Sequence, residues 1–441
     1  MTGGRKLLLR RFKQRLADKK ARVGVAGLGY VGLPLAAAFA GKGFAVTGMD
    51  VDPEKLAALR RGESYVLDVS SKTVKQIVSR GFFHVTGDYH AVSSLDAVLI
   101  CVPTPLSKTK EPDISFVVNA ARSISRHLKK GQLVVLESTT YPGTTEEVLA
   151  PILEESGLKA EKDFFLAFSP ERVDPGNKEY DVVSIPKVVG GAGKLSAQAA
   201  RALYGAVMSQ VVVVSSAKAA EMAKLLENTF RSVNIGLINE VALLSQRLGV
   251  DIWEVIEAAK TKPFGFMPFY PGPGIGGHCL PIDPLYLSWK SRSHGFEAKM
   301  IELAQSINEE MPRHVVERIA RLLNQKRIPL KKASVLLLGV AYKRDVDDIR
   351  ESPALEVMKV LREEGAEVSY TDPFVPFLDF DSAPLRSRPL TPGLLKKQDA
   401  VLILTDHSRF DYEAVVRHAK LVLDTRNVLR RFGPDSKVFF L

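Results

Sequence analysis

Gly27-Leu-Gly29-Tyr-Val-Gly32 is the feature that most narrows what this chain can fold into. The three glycines follow a short apolar run, Arg22-Val-Gly-Val-Ala-Gly27, and open an alanine-rich segment, Leu33 to Gly41, that reads as a helix. Phe44 to Met49 then reads as a second strand, ending at Asp50, eighteen residues beyond Gly32. Strand, tight turn, helix, strand and terminal acid form the frame in which a dinucleotide binds. Gly27 permits the turn, Gly29 lets a pyrophosphate approach the backbone, and Gly32 lets helix and strand pack closely. The helix N-terminus offers amide donors to the phosphates. Asp50 would accept hydrogen bonds from ribose hydroxyls. A 2′-phosphate would meet Asp50 and Asp52 with no arginine before Arg60, which favours NAD over NADP. The alternative is a glycine turn with no ligand.

Composition sets the outer limits. The chain has 441 residues, 46% hydrophobic and 25% charged, enough to bury a sizeable core in two or three domains. No run of 18 apolar residues is present, so no membrane span is expected. Two cysteines, Cys101 and Cys279, cannot build a disulfide framework or a four-ligand zinc site, and a reducing cytoplasm is the expected compartment. The formal charge of +11 belongs mostly to one arm. Residues 1–22 hold nine of the 61 basic residues and one of the 50 acidic ones, which leaves 52 against 49, a net of +3. No nucleic-acid partner is expected of such a body. In the arm, Leu7, Leu8, Leu9, Phe12 and Leu16 form the apolar side of a short basic helix. Either a flexible or surface-packed extension or an anionic-surface binder fits.

The hydrophobic period changes along the chain. Ala97 to Val102 and Leu133 to Leu136 continue the strand-and-helix alternation of a parallel sheet. Leu226, Phe230, Val233, Leu237, Val241, Leu244 and Leu248 then step by three and four, describing one long helix with an apolar stripe. That stripe needs a partner, within the chain or in a second copy. From about residue 330 the opening pattern returns. Lys332 to Gly339 is again a strand then glycine, Glu364 to Asp372 parallels Lys42 to Asp50, and Asp399 to His407 parallels Asp96 to Thr104. The expected fold is therefore α/β, with two doubly wound Rossmann-like domains joined by a central, mainly helical domain with one long helix. The boundaries are 1–20 for the basic extension, 21–212, 213–325 and 326–441. The second copy lacks the glycine-rich turn, so one dinucleotide is expected and not two.

Chemistry concentrates at the strand ends and in one loop. Cys279 lies in Pro271-Gly-Pro-Gly-Ile-Gly-Gly-His-Cys279-Leu-Pro-Ile-Asp283, too rich in glycine and proline for regular structure and suited to backbone contact with a substrate. On its own it reads equally as a nucleophile or a small loop residue; Cys101, inside an apolar strand, reads as core. Lys224 and Asn228, four apart on the long helix, share a face, which alone would be an ordinary solvated pair. Thr139 and Glu171-Arg172 lie where strands give way to Pro/Gly loops, the edge at which open α/β sheets bind ligands.

Taken together and in order, Gly27–Gly32, Cys101-Val-Pro-Thr-Pro105, Ser138-Thr139, Ser169-Pro-Glu171, Lys224-x-x-x-Asn228, Gly276-Gly-His-Cys279-x-x-x-Asp283 and Arg350-Glu-Ser-Pro353 resemble the UDP-glucose/GDP-mannose dehydrogenase family from residue 22 to the end. Glu137 to Thr145, Pro263-Phe-Gly-Phe266 and Ala341 to Asp348 suit its branch for N-acetylated sugars. The resemblance implies a four-electron oxidation of the sugar C6 alcohol to a carboxylate with two NAD, for surface polysaccharide precursors. It implies Cys279 as the nucleophile that holds a thiohemiacetal and then a thioester. Lys224 and Asn228 would stabilise oxyanions at C6, and Thr139 and Asp283 would position a water and relay protons, with Glu171 beside them. Gly27, Gly29, Tyr30, Val31, Gly32, Asp50, Lys55, Thr104, Thr139 and Arg350 would line the NAD. Glu171, Arg172, Lys224, Asn228, Tyr270, Gly276, Lys343 and Arg426 would contact the UDP-sugar, Lys343 and Arg426 at its phosphates. A homodimer or higher oligomer is implied, and no metal.

Two positions depart from the UDP-glucose pattern. Pro175, with Asp174 beside it, stands where a second glutamate is usual, and Lys262-Pro-Phe264 replaces an arginine before the glycine loop. Two other readings fit less of the chain. A β-hydroxyacid dehydrogenase would need neither Cys279 nor residues 330–441, and a non-catalytic nucleotide sensor has no use for a nucleophile.

Overall fold

The internal repeat is built in the structure as two mainly parallel sheets with the same start. The computed structural model describes residues 2–107, 109–173, 180–380 and 383–441. They divide into two units, the chain up to residue 227 with 285–296, and 228–284 with 297–441. The helical middle is shared between them.

The first unit carries eight strands: β1 (Arg22–Ala26), β2 (Ala45–Met49), β3 (Phe83–Thr86), β4 (Ala97–Ile100), β5 (Leu133–Leu136), β6 (Phe165–Phe168), β7 (Lys187–Gly191) and β8 (Val211–Val213). They are ordered β3-β2-β1-β4-β5-β6-β7-β8, with only β6 and β7 antiparallel among neighbours. The chain reverses direction across the sheet beside β1, so the ends of β1 and β4 form the crevice where such sheets take ligands. Leu133–Leu136 and Ala97–Ile100 are apolar throughout because both sheet faces are covered.

The basic arm is a helix, Thr2–Ala17, and part of this core. Leu9, Phe12 and Leu16 are buried in the cluster that includes Phe39 and Phe165, and the Phe12 and Phe165 rings lie 6.4 Å apart. Arg15 Nε donates to Asp96 at 2.6 Å. Burial of three large side chains contributes roughly 2 kcal/mol each, which rules out the flexible-extension reading. Leu7 is the exception on that face and stays exposed.

The second unit carries β9 (Ser334–Leu338), β10 (Glu367–Thr371), β11 (Phe377–Phe380), β12 (Ala383–Arg386), β13 (Ala400–Ile403), β14 (Val422–Asp424) and β15 (Val438–Phe440). Five form a parallel sheet, β10-β9-β13-β14-β15, and β11 and β12 make a separate hairpin.

The long helix, Ala217–Leu248, turns its stripe outward. Leu226, Phe230, Leu237, Leu244 and Leu248 are 46–67% exposed, while Asn228, Thr229, Ser232, Asn239 and Ser245 are buried. The asparagines of that side are satisfied inside the second unit, whereas the Thr229 hydroxyl has no hydrogen-bond partner. Asn239 Nδ2 donates to Asn308 Oδ1 at 2.9 Å and its Oδ1 accepts the Gly272 N–H at 3.0 Å; Asn308 Nδ2 donates to the Ser232 carbonyl at 3.1 Å. Gly236 allows close approach to Ala304 on the helix Lys299–Gln325, since a Cβ there would lie 3.1 Å from Ala304.

Candidate functional site

The glycine turn is built as its sequence requires. Gly27 has φ +91°, and a Cβ on it would lie 2.6 Å from the Cys101 carbonyl oxygen; a Cβ on Gly32 would overlap the Gly27 carbonyl. Around Gly29 there is open space. Tyr30 is exposed and Val31 half-buried beside it. Asp50 Oδ2 accepts the Leu28 N–H at 2.8 Å and Oδ1 the Asp52 N–H at 3.0 Å. A carboxylate has about four acceptor positions, so Asp50 keeps capacity for two ribose hydroxyls. Open space at the turn, a helix starting at Gly32 and an acid with spare acceptors fit an NAD. Lys55, on the helix Pro53–Arg60, is 3.8 Å from Asp52.

Past β4, β5 and β6 the loops are tied by side chains. Ser138 donates to the Ile100 and Val102 carbonyls at 3.3 and 2.7 Å, with Thr139 half-buried next to it. Glu221, at the start of the long helix, accepts the Gly143 and Thr145 N–H groups at 2.5 and 2.8 Å and the Thr145 hydroxyl at 2.6 Å, pinning the far end of that loop. The Thr104 carbonyl accepts from the Tyr286 hydroxyl at 3.0 Å. Glu171 is held on every side. Its Oε1 accepts the Arg172 and Val173 N–H groups at 2.7 and 2.8 Å, its Oε2 accepts from Lys187 Nζ at 3.2 Å, and its main-chain carbonyl accepts from Lys224 Nζ at 2.7 Å. Arg172 spends its guanidinium on Glu227 and on the Pro186 carbonyl, at 2.8 Å each. Asp174 and Pro175 lie outside the described residues.

In the second unit the half-buried Cys279 begins a turn. Its carbonyl accepts the Asp283 N–H at 2.8 Å, and Asp283 Oδ2 accepts from Asn228 Nδ2 at 2.5 Å. The loop before it is fitted to the second copy's strand ends. A Cβ on Gly272 would lie 2.8 Å from the Arg426 guanidinium, and one on Gly276 2.7 Å from the Glu351 carbonyl and from Tyr342. The Gly277 N–H donates to the Arg350 carbonyl at 3.1 Å. Arg426 Nε donates to the Leu404 carbonyl at 2.8 Å, and burial lowers the guanidinium's pKa. Arg350 pairs with Asp348 at 2.8 Å. Lys343 is half-buried in the loop after β9, and Tyr270 stacks on Trp253 with ring centroids 5.7 Å apart.

Comparison with known proteins agrees over most of the chain. Three descriptions of the UDP-glucose/GDP-mannose dehydrogenase family match: its NAD binding domain at residues 21–208, its central domain at 218–310 and its UDP binding domain at 336–431. The chain belongs to this family. A UDP-N-acetyl-D-glucosamine 6-dehydrogenase of Pseudomonas aeruginosa is 40% identical over 81% of this chain and 84% of its own. A UDP-N-acetyl-D-mannosamine dehydrogenase of Pyrococcus horikoshii is 36% identical over 93% and 96%. A solved structure of a UDP-D-ManNAc dehydrogenase from Pyrococcus horikoshii has a TM-score of 0.87 at 34% identity, covering 95% of this chain and 98% of that one.

For a UDP-sugar dehydrogenase that uses NAD, the structure brings together Lys224 with Glu171, and Asn228 with Asp283 and Cys279. Sequence reasoning missed a buried trio beside Glu171. Lys187, on β7, donates to Glu137 Oε2 at 2.7 Å, and the Tyr204 hydroxyl donates to the other oxygen of Glu137. The signal available was a lone lysine heading the apolar run Pro186-Lys-Val-Val-Gly-Gly191 and a glutamate closing β5. Burial pushes the Glu137 carboxyl up, with Lys187 opposing it. At Glu171 burial is outweighed by Lys187 and the two amides, and its carboxyl is held below the ordinary value. Among the described residues no cluster of metal-ligating side chains is present, and no helix is long and apolar enough to cross a membrane.

Proposed function

We propose that this chain is an NAD-dependent UDP-N-acetylglucosamine 6-dehydrogenase that carries C6 from alcohol to carboxylate on Cys279. The observation that carries the reading is the linked set Asn228–Asp283–Cys279: a half-buried thiol whose own turn holds the acid bonded to the helix-borne amide. Lys224 precedes Asn228 by one helical turn, so one face supplies an ammonium and an amide to a developing oxyanion. NAD, when bound, takes up the two electrons of each oxidation step.

The residues do the rest. As the C6 alcohol loses its proton and a hydride, Lys224 and Asn228 hold the oxygen. The Cys279 sulfur then adds to the aldehyde carbon, forming a thiohemiacetal and preventing escape of the aldehyde. Loss of a second hydride and the hydroxyl proton leaves a thioester. Thr139 and Asp283 orient the water that cleaves it, releasing the carboxylate and the Cys279 thiol. Glu171 contributes its main-chain carbonyl to Lys224, since both carboxylate oxygens are occupied. Lys343 and Arg426 hold the diphosphate. The reaction supplies surface polysaccharide precursors in a reducing cytoplasm.

The apolar stripe of Ala217–Leu248 supports a homodimer. Five large apolar side chains on one helix face form the kind of patch that soluble chains cover with a partner.

The names of the relatives favour an N-acetylated sugar and also keep UDP-N-acetylmannosamine as the second substrate, since both occur at similar identity. Steady-state kinetics with UDP-N-acetylglucosamine, UDP-N-acetylmannosamine and UDP-glucose tests the choice. A site that pairs the acetamido group leaves polar groups unpaired with UDP-glucose, so kcat/KM should fall at least about tenfold. UDP-glucose as the best substrate would overturn the branch assignment, and UDP-N-acetylmannosamine as the best would replace the sugar.

A further inference from the structure

Among the described residues of the first unit Lys187 is the most deeply buried cation, and none of the steps above uses it. It lies at the start of β7, 3% exposed, with its ammonium shared between Glu137 at 2.7 Å and Glu171 at 3.2 Å. A buried lysine between two acids is costly to assemble. Replacing a buried ion pair by neutral side chains of similar size is often neutral or stabilising, so stability alone does not account for it. The geometry offers a second use. Glu137 closes β5 and is held from behind by the Tyr204 hydroxyl. Glu137 thereby fixes the ammonium, and the ammonium fixes Glu171. Two adjacent main-chain amides, Arg172 and Val173, hold the other oxygen of Glu171. With its carboxylate gripped at both ends, Glu171 presents its carbonyl in one direction, and that carbonyl is the 2.7 Å partner of Lys224 Nζ. The chain Tyr204–Glu137–Lys187–Glu171–Lys224 runs without a gap from the sheet core to the long helix.

We propose that Lys187 is a positioning residue of the dehydrogenase: with Glu137 it locks the loop after β6 so that the Glu171 carbonyl aims the Lys224 ammonium. The proposal rests on the reading of Lys224 as the oxyanion-stabilising group. Lys187 itself touches no reacting atom. The charge states agree with this arrangement, because Glu171 is held ionised by Lys187 and the two amides against its burial. The same contacts leave the carboxylate little freedom to serve as a mobile base.

The test separates stability from positioning by comparing Lys187→Met, the double variant Glu137→Gln/Lys187→Met, and Lys224→Ala with the parent protein. Lys187→Met leaves two acids buried without a cation and should lower Tm. The double variant removes the buried pair, keeps an acceptor for Tyr204 and should recover most of that Tm. It leaves Glu171 without its cation, so kcat should stay low, on the order of 10²-fold below the parent, as expected when a reacting group is misplaced by about 1 Å. NAD affinity, measured by titration, should be unchanged within about threefold, since the glycine turn and Asp50 are untouched. Adding Lys224→Ala to the double variant should cost little more, because both changes remove the same group from place. Recovery of kcat together with Tm would overturn the proposal by showing Lys187 to be structural only. A full additional loss on adding Lys224→Ala would overturn it as well. A Lys224→Ala protein with parental kcat would remove the reading on which the proposal stands, and the proposal with it.

Discussion

The first and second sheets share a frame to the level of single hydrogen bonds and differ in what they do with it. In the first, the Arg22 N–H donates to Asp96 and the Gly27 N–H to the Met49 carbonyl, both at 2.8 Å; in the second, Ser334 donates to Asp399 at 2.9 Å and Gly339 to Thr371 at 3.0 Å. Gly27 and Gly339 both have positive φ, and the acid ending the next strand takes the following amide at 2.8 Å in each, Leu28 to Asp50 and Val340 to Asp372. The divergence comes one residue later. Asp372 also accepts from the Ala341, Phe374 and Val375 amides and from His407 Nε2, five donors in all. His407 Nδ1 accepts the Asp345 N–H at 2.9 Å, which puts the ring proton on Nε2 and aims it at Asp372. Asp50 has two donors and open space beside Gly29. One acid is saturated from within, whereas the other keeps spare acceptors for an NAD.

The largest test of the shared frame is Gly27→Ala against Gly339→Ala. In both, the new Cβ meets the neighbouring strand end at positive φ, with close contacts at Cys101 and Thr405 respectively. Each should cost about 3 kcal/mol in urea unfolding, from backbone strain plus overpacking. A cost near zero at Gly339 alone would break the equivalence.

A pH effect sharpens the difference next. Glu137, closing β5, has Lys187 as a counter-ion, whereas Asp424, ending β14, is faced by the Leu429 and Arg426 amides and by Asp406 and is pushed up to about 6, chiefly by burial. A carboxyl raised in the folded state binds its proton more tightly there. Its stabilising contribution is whole below about pH 4 and is lost as pH rises through about 6, amounting to up to about 3 kcal/mol. Unfolding free energy measured from pH 4 to 7 should carry that downward contribution, and Asp424→Asn should flatten it. An unchanged slope in the variant would assign the titration to another group.

The smallest of these effects concerns the two acids. Asp50→Ala should weaken NAD about tenfold and narrow its lead over NADP, roughly 1.4 kcal/mol, whereas Asp372→Ala should lower Tm and leave NAD affinity alone. Equal NAD losses in both would contradict the account of spare acceptors.

How much of this was legible beforehand depended on whether the partner lay nearby in the chain. Gly27, Gly29 and Gly32 answer to local backbone needs, so their spacing disclosed turn, helix and ligand together. The repeat at Lys332 and Glu364 was legible because strands covered on both faces must stay apolar. The Lys187–Glu137 pair spans fifty residues, and no local pattern joins the two. The long helix showed its stripe, but periodicity alone could not tell which face turns inward; Asp283, Asn308 and Ala304 decide that, all far along the chain. The arm likewise displayed an amphipathic pattern while its partner, Phe165, lay beyond reach of any window. The departure from the UDP-glucose pattern at Pro175 falls outside the described residues.

In the proposed reaction Cys279 retains the aldehyde between two oxidations. The most direct measurement is the end-point yield of NADH from a limiting, weighed amount of UDP-N-acetylglucosamine with NAD in excess, read by absorbance and paired with a trap for free aldehyde. The expected result is two NADH per sugar, no trapped aldehyde, and a Cys279→Ser protein that binds NAD normally yet fails to complete the four-electron oxidation. One NADH per sugar with the aldehyde recovered in the trap would contradict it.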